Sequence, residues 1–380
     1  MITFKAASVN TFPKNKFDLD TPCLVLDVDN LEQNLQKMQQ TVAAAGKQIR
    51  PHAKTHKCSA LAKRQLATGA IGACAAKVSE AEALARANVD GILITGPVAT
   101  SRKIERMLDL LAVSPALMVV VDHIQSIELL AAALRARGLS MDVLLDLDAG
   151  LQRTGASLSA APELAKAILT WPELRLKGIQ AYAGQVQHIQ AYAERQAASQ
   201  TCLRAAAAVF RELQNLTPDC VIFSASGTGT FDIDLAIPEL TELQVGSYAC
   251  MDAEYLAVGS AADPAHFASF APALRLLTTV ISANQSGFVT VDAGLKSLYK
   301  DGGIPQILGA EQSGLKYTWF GDEYGKISSS DGQPLPALGS VLELVTSHCD
   351  PTINLFERFY LTRGEQVVDV WPIDLRGCSQ

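Results

Sequence analysis

The stretch IRPHAKTHK, residues 49–57, sets two lysines, two histidines and an arginine within nine positions. A second polar stretch, SHCDPT at 347–352, carries His348 and Asp350 two residues apart. Between them lie two runs of small residues, SASGTGT (224–230) and VGSY (245–248), whose backbone N–H groups can cradle a phosphate. A lysine that is partly desolvated gives up its charge more readily and becomes a nucleophile toward carbonyls. An imidazole and a carboxylate at i and i+2 of a strand face the same side and can hold one divalent ion. Carboxylate rather than thiolate favours a harder ion such as Mn²⁺ or Mg²⁺. Each feature also has a plainer reading. Lys54 can be a solvated loop lysine, the Gly/Ser runs ordinary turns, and His348 with Asp350 a hydrogen-bonded pair. Asp292, Asp322 and Glu323 read as turn residues on the same grounds.

The basic cluster is local. The chain carries a formal net charge of -7, which argues against a general nucleic-acid binder. With 380 residues and 48% hydrophobic content it can bury a large core, as two domains or as a barrel with an extension. Eight scattered cysteines without a CxxC pair read as free thiols of a reducing compartment. The amino-terminal MITFKAASVNTFPKNKFDLD has no apolar core of signal-peptide length, and no apolar run reaches the roughly 20 residues of a membrane span. The expectation is a cytoplasmic protein without membrane contact.

Short apolar runs alternate with Ala/Leu-rich amphipathic segments from residue 20 to about 260. TPCLVLDVD reads as a strand, followed by the helix NLEQNLQKMQQTVAAAG with Asn30 as cap and Gly46 as stop. The strands that follow are QIRPHAK, GACAAKV, GILITG, ALMVVVD, MDVLLDLD, LKGIQAYAG, CVIFSASG and ELQVGSYA. These are about eight β-units, the number that closes a (β/α)₈ barrel, with a doubly wound open sheet as the alternative. Past residue 265 the runs LRLLTTVISA, GFVTVDAGL, LKYTWFG, VLELVT and EQVVDVWPI, separated by turn residues, predict a β domain. The expected division is a barrel over 24–265 and a β domain built from 1–23 and 266–380.

Active-site groups of a parallel barrel sit where strands end. Lys54 ends the first predicted barrel strand and Lys77 the second; Asp148 and Arg153 follow VLLDLD; Tyr182 and His188 follow KGIQ. A strand-end lysine, a strand-end tyrosine and a phosphate cradle in one mouth describe a pyridoxal phosphate pocket.

The motifs DTPCLVLDVDNLEQN, RPHAKTHK, DAGLQRTG, GIQAYAGQVQH, SGTGT, LQVGSYACMD and HCDPTINLFERFYLTRG resemble the D-threonine aldolase family, from about Asp20 to near the carboxyl terminus. This family is one of the alanine-racemase-like pyridoxal phosphate enzymes, together with D-serine dehydratase and D-3-hydroxyaspartate aldolase. The resemblance implies a (β/α)₈ barrel with a β domain. It implies Lys54 as the Schiff-base lysine, Arg153 near the cofactor's phenolic oxygen and Tyr182 against ring or substrate. Gly227, Thr228, Gly246 and Ser247 would hold the phosphate, and His348 and Asp350 a divalent metal. Gln244 falls where an alanine racemase places an arginine facing the pyridine nitrogen. Arg50, His52 and His56 would be the polar surroundings of Lys54, and Lys57 a solvated residue. Ala76 stands where many relatives have glutamine, and Thr154 where several have cysteine. The implied reaction is cleavage of D-threonine and other D-β-hydroxy-α-amino acids to glycine and an aldehyde. His188 has a suitable intrinsic pKa for the base, a solvated loop histidine being its plainer reading. D-3-hydroxyaspartate cleavage and D-serine dehydration are the rival chemistries, and a non-catalytic cofactor carrier is a rival of another class. The resemblance also implies a head-to-tail homodimer.

Overall fold

The computed structural model describes residues 12–309, 314–330 and 332–380. The first eleven residues of the segment expected to complete the β domain lie outside the described residues.

After strand β1 (Cys23–Asp27) come eight parallel strands: β2 (Gln48–Ile49), β3 (Ala73–Ala75), β4 (Ile92–Ile94), β5 (Met118–Val121), β6 (Met141–Asp146), β7 (Leu174–Ala181), β8 (Ile222–Ala225) and β9 (Glu242–Leu243). Their order is β2-β9-β8-β7-β6-β5-β4-β3. The ring closes just past β2. There His52 bridges Cys74 in parallel, and the N–H groups of Ala53 and Cys74 donate to the carbonyls of Cys74 and Pro51 at 2.9 and 2.8 Å. The (β/α)₈ barrel is thus present, and the open sheet is not. QIRPHAK is regular only over Gln48–Ile49. Pro51 has no N–H to give, so the ladder is interrupted there.

Strand periodicity sorts the barrel into layers. Cys74, Leu93, Met118, Val120 and Leu144 pack together apart from the main core, which holds their sequence neighbours Ala73, Ile92, Ile94, Val119, Val143 and Leu145 against the outer helices. Each valine, leucine, isoleucine or methionine among them contributes roughly 1.5–3 kcal/mol on burial. Strand β5, MVVV, is buried throughout, as a parallel strand covered on both faces must be. The helix Ile124–Arg137 that follows stops at Gly138, which takes the left-handed φ of +66°.

The helix expected from Asn30 starts earlier, at Val28, and its cap is Asp27, whose carboxylate accepts the Asn30 N–H at 3.0 Å. Asn30 instead reaches the Pro272 carbonyl. No described helix is long and apolar enough to cross a membrane.

The second sheet contains β10 (Leu274–Ser282), β11 (Phe288–Val291), β12 (Gln306–Ile307), β13 (Leu315–Trp319), β14 (Gly325–Ser329), β15 (Val341–Val345), β16 (Arg358–Arg363) and β17 (Gln366–Pro372). All five strand-like runs of the carboxyl-terminal part are there. Strand β1 lies inside this sheet, antiparallel to β10 and parallel to β16. Residues 24–27 therefore sit with the β domain, across the boundary expected at residue 24. This places the start of the first helix, which follows β1 directly, at the junction of the two units.

Candidate active site

Strand β2 is pinned by Arg50. Its guanidinium donates to both carboxylate oxygens of Glu242 at 2.9 Å, and it also bonds the Gly91 carbonyl. Glu242 begins β9 and Gly91 precedes β4, so Arg50 points to the amino-terminal end of the barrel, away from the mouth. Its expected place beside Lys54 is overturned: a buried guanidinium must stay with its carboxylate. Lys57 is not solvated either. It pairs with the fully buried Glu80. His52 does belong to the mouth, where its Nε2 lies 3.0 Å from Thr95 Oγ1. His56 is buried, and burial pulls its pKa down to about 4.

A cavity of about 530 Å³ opens at the carboxyl-terminal end of the barrel, and Lys54 lines it. The side chain of Lys54 is 44% exposed, and its Nζ is 2.7 Å from Asp350 Oδ2. The Asp350 charge raises the lysine pKa. Burial pushes the Asp350 carboxyl up, but Lys54 and His348 outweigh it and hold the group below the usual carboxylate range. Arg153 and Tyr182 form part of the wall, with the guanidinium carbon 5.7 Å from the tyrosine ring centre. Burial raises the Tyr182 pKa.

The expected phosphate residues Gly227, Thr228, Gly246 and Ser247 also line the cavity. The two loops are tied together: Thr228 Oγ1 accepts the Tyr248 N–H at 3.0 Å, and Gln187 accepts the Gly229 N–H at 3.0 Å. A Cβ on Gly227 would stand 2.5 Å from Gln187 Oε1, and one on Gly246 would stand 2.3 Å from Thr55 Oγ1. Both loops thus bring bare backbone to the cavity wall, as an anion cradle requires. Ser226, held at φ +76°, has a buried Oγ with no hydrogen-bond partner among the described residues. These residues fit a phosphate group. Gly246→Ala is expected to weaken cofactor retention roughly 5- to 150-fold, the effect of about 1–3 kcal/mol of overpacking. Adding Thr55→Ala should recover most of it, as read by equilibrium dialysis with absorbance.

The floor carries a chain of amides. Gln180 Nε2 donates to Asp146 Oδ1 at 2.8 Å and to the Thr95 carbonyl at 3.0 Å. Gln244 Nε2 donates to Gln180 Oε1 at 3.0 Å and to Ser224 at 2.9 Å. Gln244 lines the cavity above this network. Burial pushes the Asp146 pKa up to about 6.

His348 and Asp350 are not on a strand. His348 is the N-cap of the short helix Cys349–Ile353, and Asp350 stands in its first turn. They still converge, with His348 Nε2 4.0 Å from Asp350 Oδ1. His348 Nδ1 lies 3.5 Å from Asp301 and 3.9 Å from Glu254, and His188 Nδ1 lies 3.3 Å from Glu254. Neither Nδ1 makes a hydrogen bond among the described residues. Among the described residues no three of these groups already stand as a metal cluster. His188 packs on Tyr255, with ring centres 4.6 Å apart, and Tyr255 rather than His188 lines the cavity. Sequence reasoning missed Glu254, Tyr255 and Gln180. The position of Gln180 at the end of β7 was the available signal for one of them.

A closed barrel with a lysine and a small-residue anion cradle at its strand ends defines the class: a barrel-type pyridoxal phosphate enzyme. The family described as "Alanine racemase, N-terminal domain" matches residues 26–254, and "Putative serine dehydratase domain" matches 273–362. The chain is 36% identical over 368 residues to the 3-hydroxy-D-aspartate aldolase of Paracoccus denitrificans (strain Pd 1222), covering 95% of this chain and 93% of the relative. It is 38% identical over 363 residues to the D-threonine aldolase of an Arthrobacter sp, covering 95% and 94%. The crystal structure of D-threonine aldolase from Filomicrobium marinum matches with a TM-score of 0.91 and 35% identity, over 97% of this chain and 98% of that one. The chain belongs to the alanine-racemase-like family, within its group of D-threonine and 3-hydroxy-D-aspartate aldolases, and is a pyridoxal phosphate-dependent lyase.

Proposed function

We propose that the chain cleaves D-β-hydroxy-α-amino acids, D-threonine and D-3-hydroxyaspartate among them, to glycine and an aldehyde. The observation that carries this reading is the 2.7 Å contact between Lys54 and Asp350. It sets the lysine of the barrel against the carboxylate that, with His348, suits a divalent ion. Pyridoxal phosphate, when bound, supplies the sink for the electrons released as the Cα–Cβ bond breaks.

The chain's own residues do the rest. The loops at 226–228 and 246–247 anchor the phosphate, and Arg153 with Tyr182 borders the ring. Gln244 would offer the pyridine ring a neutral group, since its two amide hydrogens are already engaged by Gln180 and Ser224. His348 and Asp350 would hold Mn²⁺ or Mg²⁺, whose charge lowers the pKa of a bound hydroxyl. Imidazole with carboxylate is a borderline-to-hard donor set that fits these ions. Their 4.0 Å separation exceeds by about 1 Å the spacing of two adjacent ligands on an octahedral ion with bonds near 2.1 Å. His188 takes the β-hydroxyl proton. Burial disfavours its protonated form, so its imidazole is neutral and able to accept a proton at pH 7. The β domain of a second copy in a head-to-tail homodimer closes the mouth against water.

The test is glycine release from D-threonine, L-threonine, D-serine and D-3-hydroxyaspartate, with pyridoxal phosphate and Mn²⁺ present. Glycine is expected from the D-β-hydroxy substrates and not from L-threonine. The acid limb of kcat/KM should fall below the ordinary histidine range, because burial disfavours the protonated form of His188. Sedimentation under the same conditions should show a dimer. Turnover of L-threonine alone, or a fully active monomer, would remove the corresponding part of the proposal.

A further inference from the structure

The cavity wall has an uneven charge. Lys54, Lys77, Lys103 and Arg153 line it; among the described residues no aspartate or glutamate side chain does, and the carboxyl-terminal Gln380, held by Ser79, is the one lining residue that brings an acidic group. Lys54 has Asp350, and Arg153 sits over Tyr182. Lys77 and Lys103 are in no ion pair among the described residues. This contrasts with Lys57, which shares its loop with Lys54 and is matched by Glu80.

The two lysines come from adjacent places. Lys77 follows β3 and is the N-cap of the helix Val78–Arg86. Lys103 lies in the first turn of the helix Ser101–Asp109, after β4. Strands β3 and β4 pair in parallel. In the closed ring, β4 stands four strands from β8 in either direction, so the Lys103 loop lies across the mouth from the cradle at 226–228. A phosphate group held at 226–228 is therefore not the partner of Lys103.

We infer that Lys77 and Lys103 bind a second carboxylate on the substrate, and so select a dicarboxylic β-hydroxy-α-amino acid over D-threonine. The inference rests on the aldolase reading above. With D-3-hydroxyaspartate, the Cα–Cβ bond breaks, the β-hydroxyl loses its proton and becomes the aldehyde of glyoxylate, and Cα gains a proton to give glycine. Nothing is oxidised or reduced overall. A carboxylate at Cβ meets two ammonium groups, where the methyl group of D-threonine leaves both without a partner.

The experiment compares the holoenzyme with its Lys77→Met, Lys103→Met and doubly substituted variants. The ratio of kcat/KM for D-3-hydroxyaspartate to that for D-threonine should favour the diacid in the unaltered enzyme. It should fall roughly tenfold to a hundredfold with each lysine removed, the cost of a charge-assisted contact. Lys77→Arg and Lys103→Arg should retain most of the preference. Raising the salt concentration should lower the diacid's kcat/KM more than that of D-threonine. Calorimetry with succinate and butyrate reads the same site without turnover: succinate should bind more tightly, and the double variant should lose that advantage. An unchanged substrate ratio in variants with normal cofactor absorbance would overturn the inference and leave the aldolase reading standing. Glycine from neither substrate would sink the aldolase reading. The succinate arm still decides the lysines, because equal binding of succinate and butyrate would exclude a dicarboxylate site.

Discussion

Lys54→Ala is expected to abolish the visible absorbance of lysine-linked pyridoxal phosphate and to lower glycine release by roughly 10⁴-fold or more, the upper end of what a proton-handling group supplies. The reason is geometric. Lys54 opens onto the cavity, while Lys57, three residues on, is consumed by the buried Glu80. Lys77 and Lys103 also reach the wall, so they are the controls. Borohydride reduction followed by peptide mapping should place the adduct on Lys54 in the unaltered protein and on no lysine in the variant. A reducible adduct that persists in the variant would move the assignment to Lys77 or Lys103. Pyridoxal phosphate should still bind without the covalent link, because the cradle at 226–228 and 246–247 does not depend on Lys54. Dialysis would show weaker but measurable retention.

Chelation is expected to remove aldol cleavage while leaving cofactor absorbance intact, and Mn²⁺ or Mg²⁺ should restore it. Asp350→Ala should behave like the chelated protein. Losing a direct ligand costs more than the 10- to 100-fold lost with an outer partner. Asp350→Ala has a second effect, because the carboxylate is also the 2.7 Å partner of Lys54. Without it the lysine loses the charge that raises its pKa. His348→Ala separates the two roles: it removes a ligand and leaves the Lys54–Asp350 contact in place. If His348→Ala retains full activity and chelation has no effect, Asp350 serves Lys54 alone and the metal reading fails. Asp350→Cys should shift preference toward Zn²⁺ by offering a softer ligand. Dominant, zinc-dependent release of pyruvate from D-serine by the unaltered protein would mean that dehydration is the activity.

The sequence was most informative where the signal is local. Alternation of apolar runs with amphipathic helices follows from the periods of strand and helix, which repeat within a few residues. That was enough for the eight barrel strands, for the five strand-like runs of the β domain, and for the rule that polar residues at strand ends face one mouth. Lys54, Tyr182, Gly227 and Gly246 were legible in this way, and the cavity contains all four. What a side chain touches was not legible locally. Arg50 and Lys57 looked like members of one basic site with Lys54. Arg50 is instead committed to Glu242, 192 residues away, and Lys57 to Glu80. A local cluster of charges says nothing about which of them the fold will neutralise, because the partners arrive from other strands.

His348 and Asp350 make the same point from the other side. Their spacing suggested a strand, and the structure puts them at the start of a short helix, yet they still converge. Strand β1 was left out of the barrel count, and it joins the β domain between β10 and β16, although a short apolar strand carries no mark of which partners it will take. By itself, then, the sequence determined the repeating β/α architecture, the small-residue loops and the lysine at a strand end, all consequences of short-range sterics and periodicity. Only the tertiary structure decided that Asp350 meets Lys54 across 296 residues, that Glu254 stands beside His188 and His348, and that Lys77 and Lys103 reach the cavity wall without an ion-pair partner among the described residues. Those outcomes depend on long-range packing, which brings distant charges together or keeps them apart in a way no local spacing encodes.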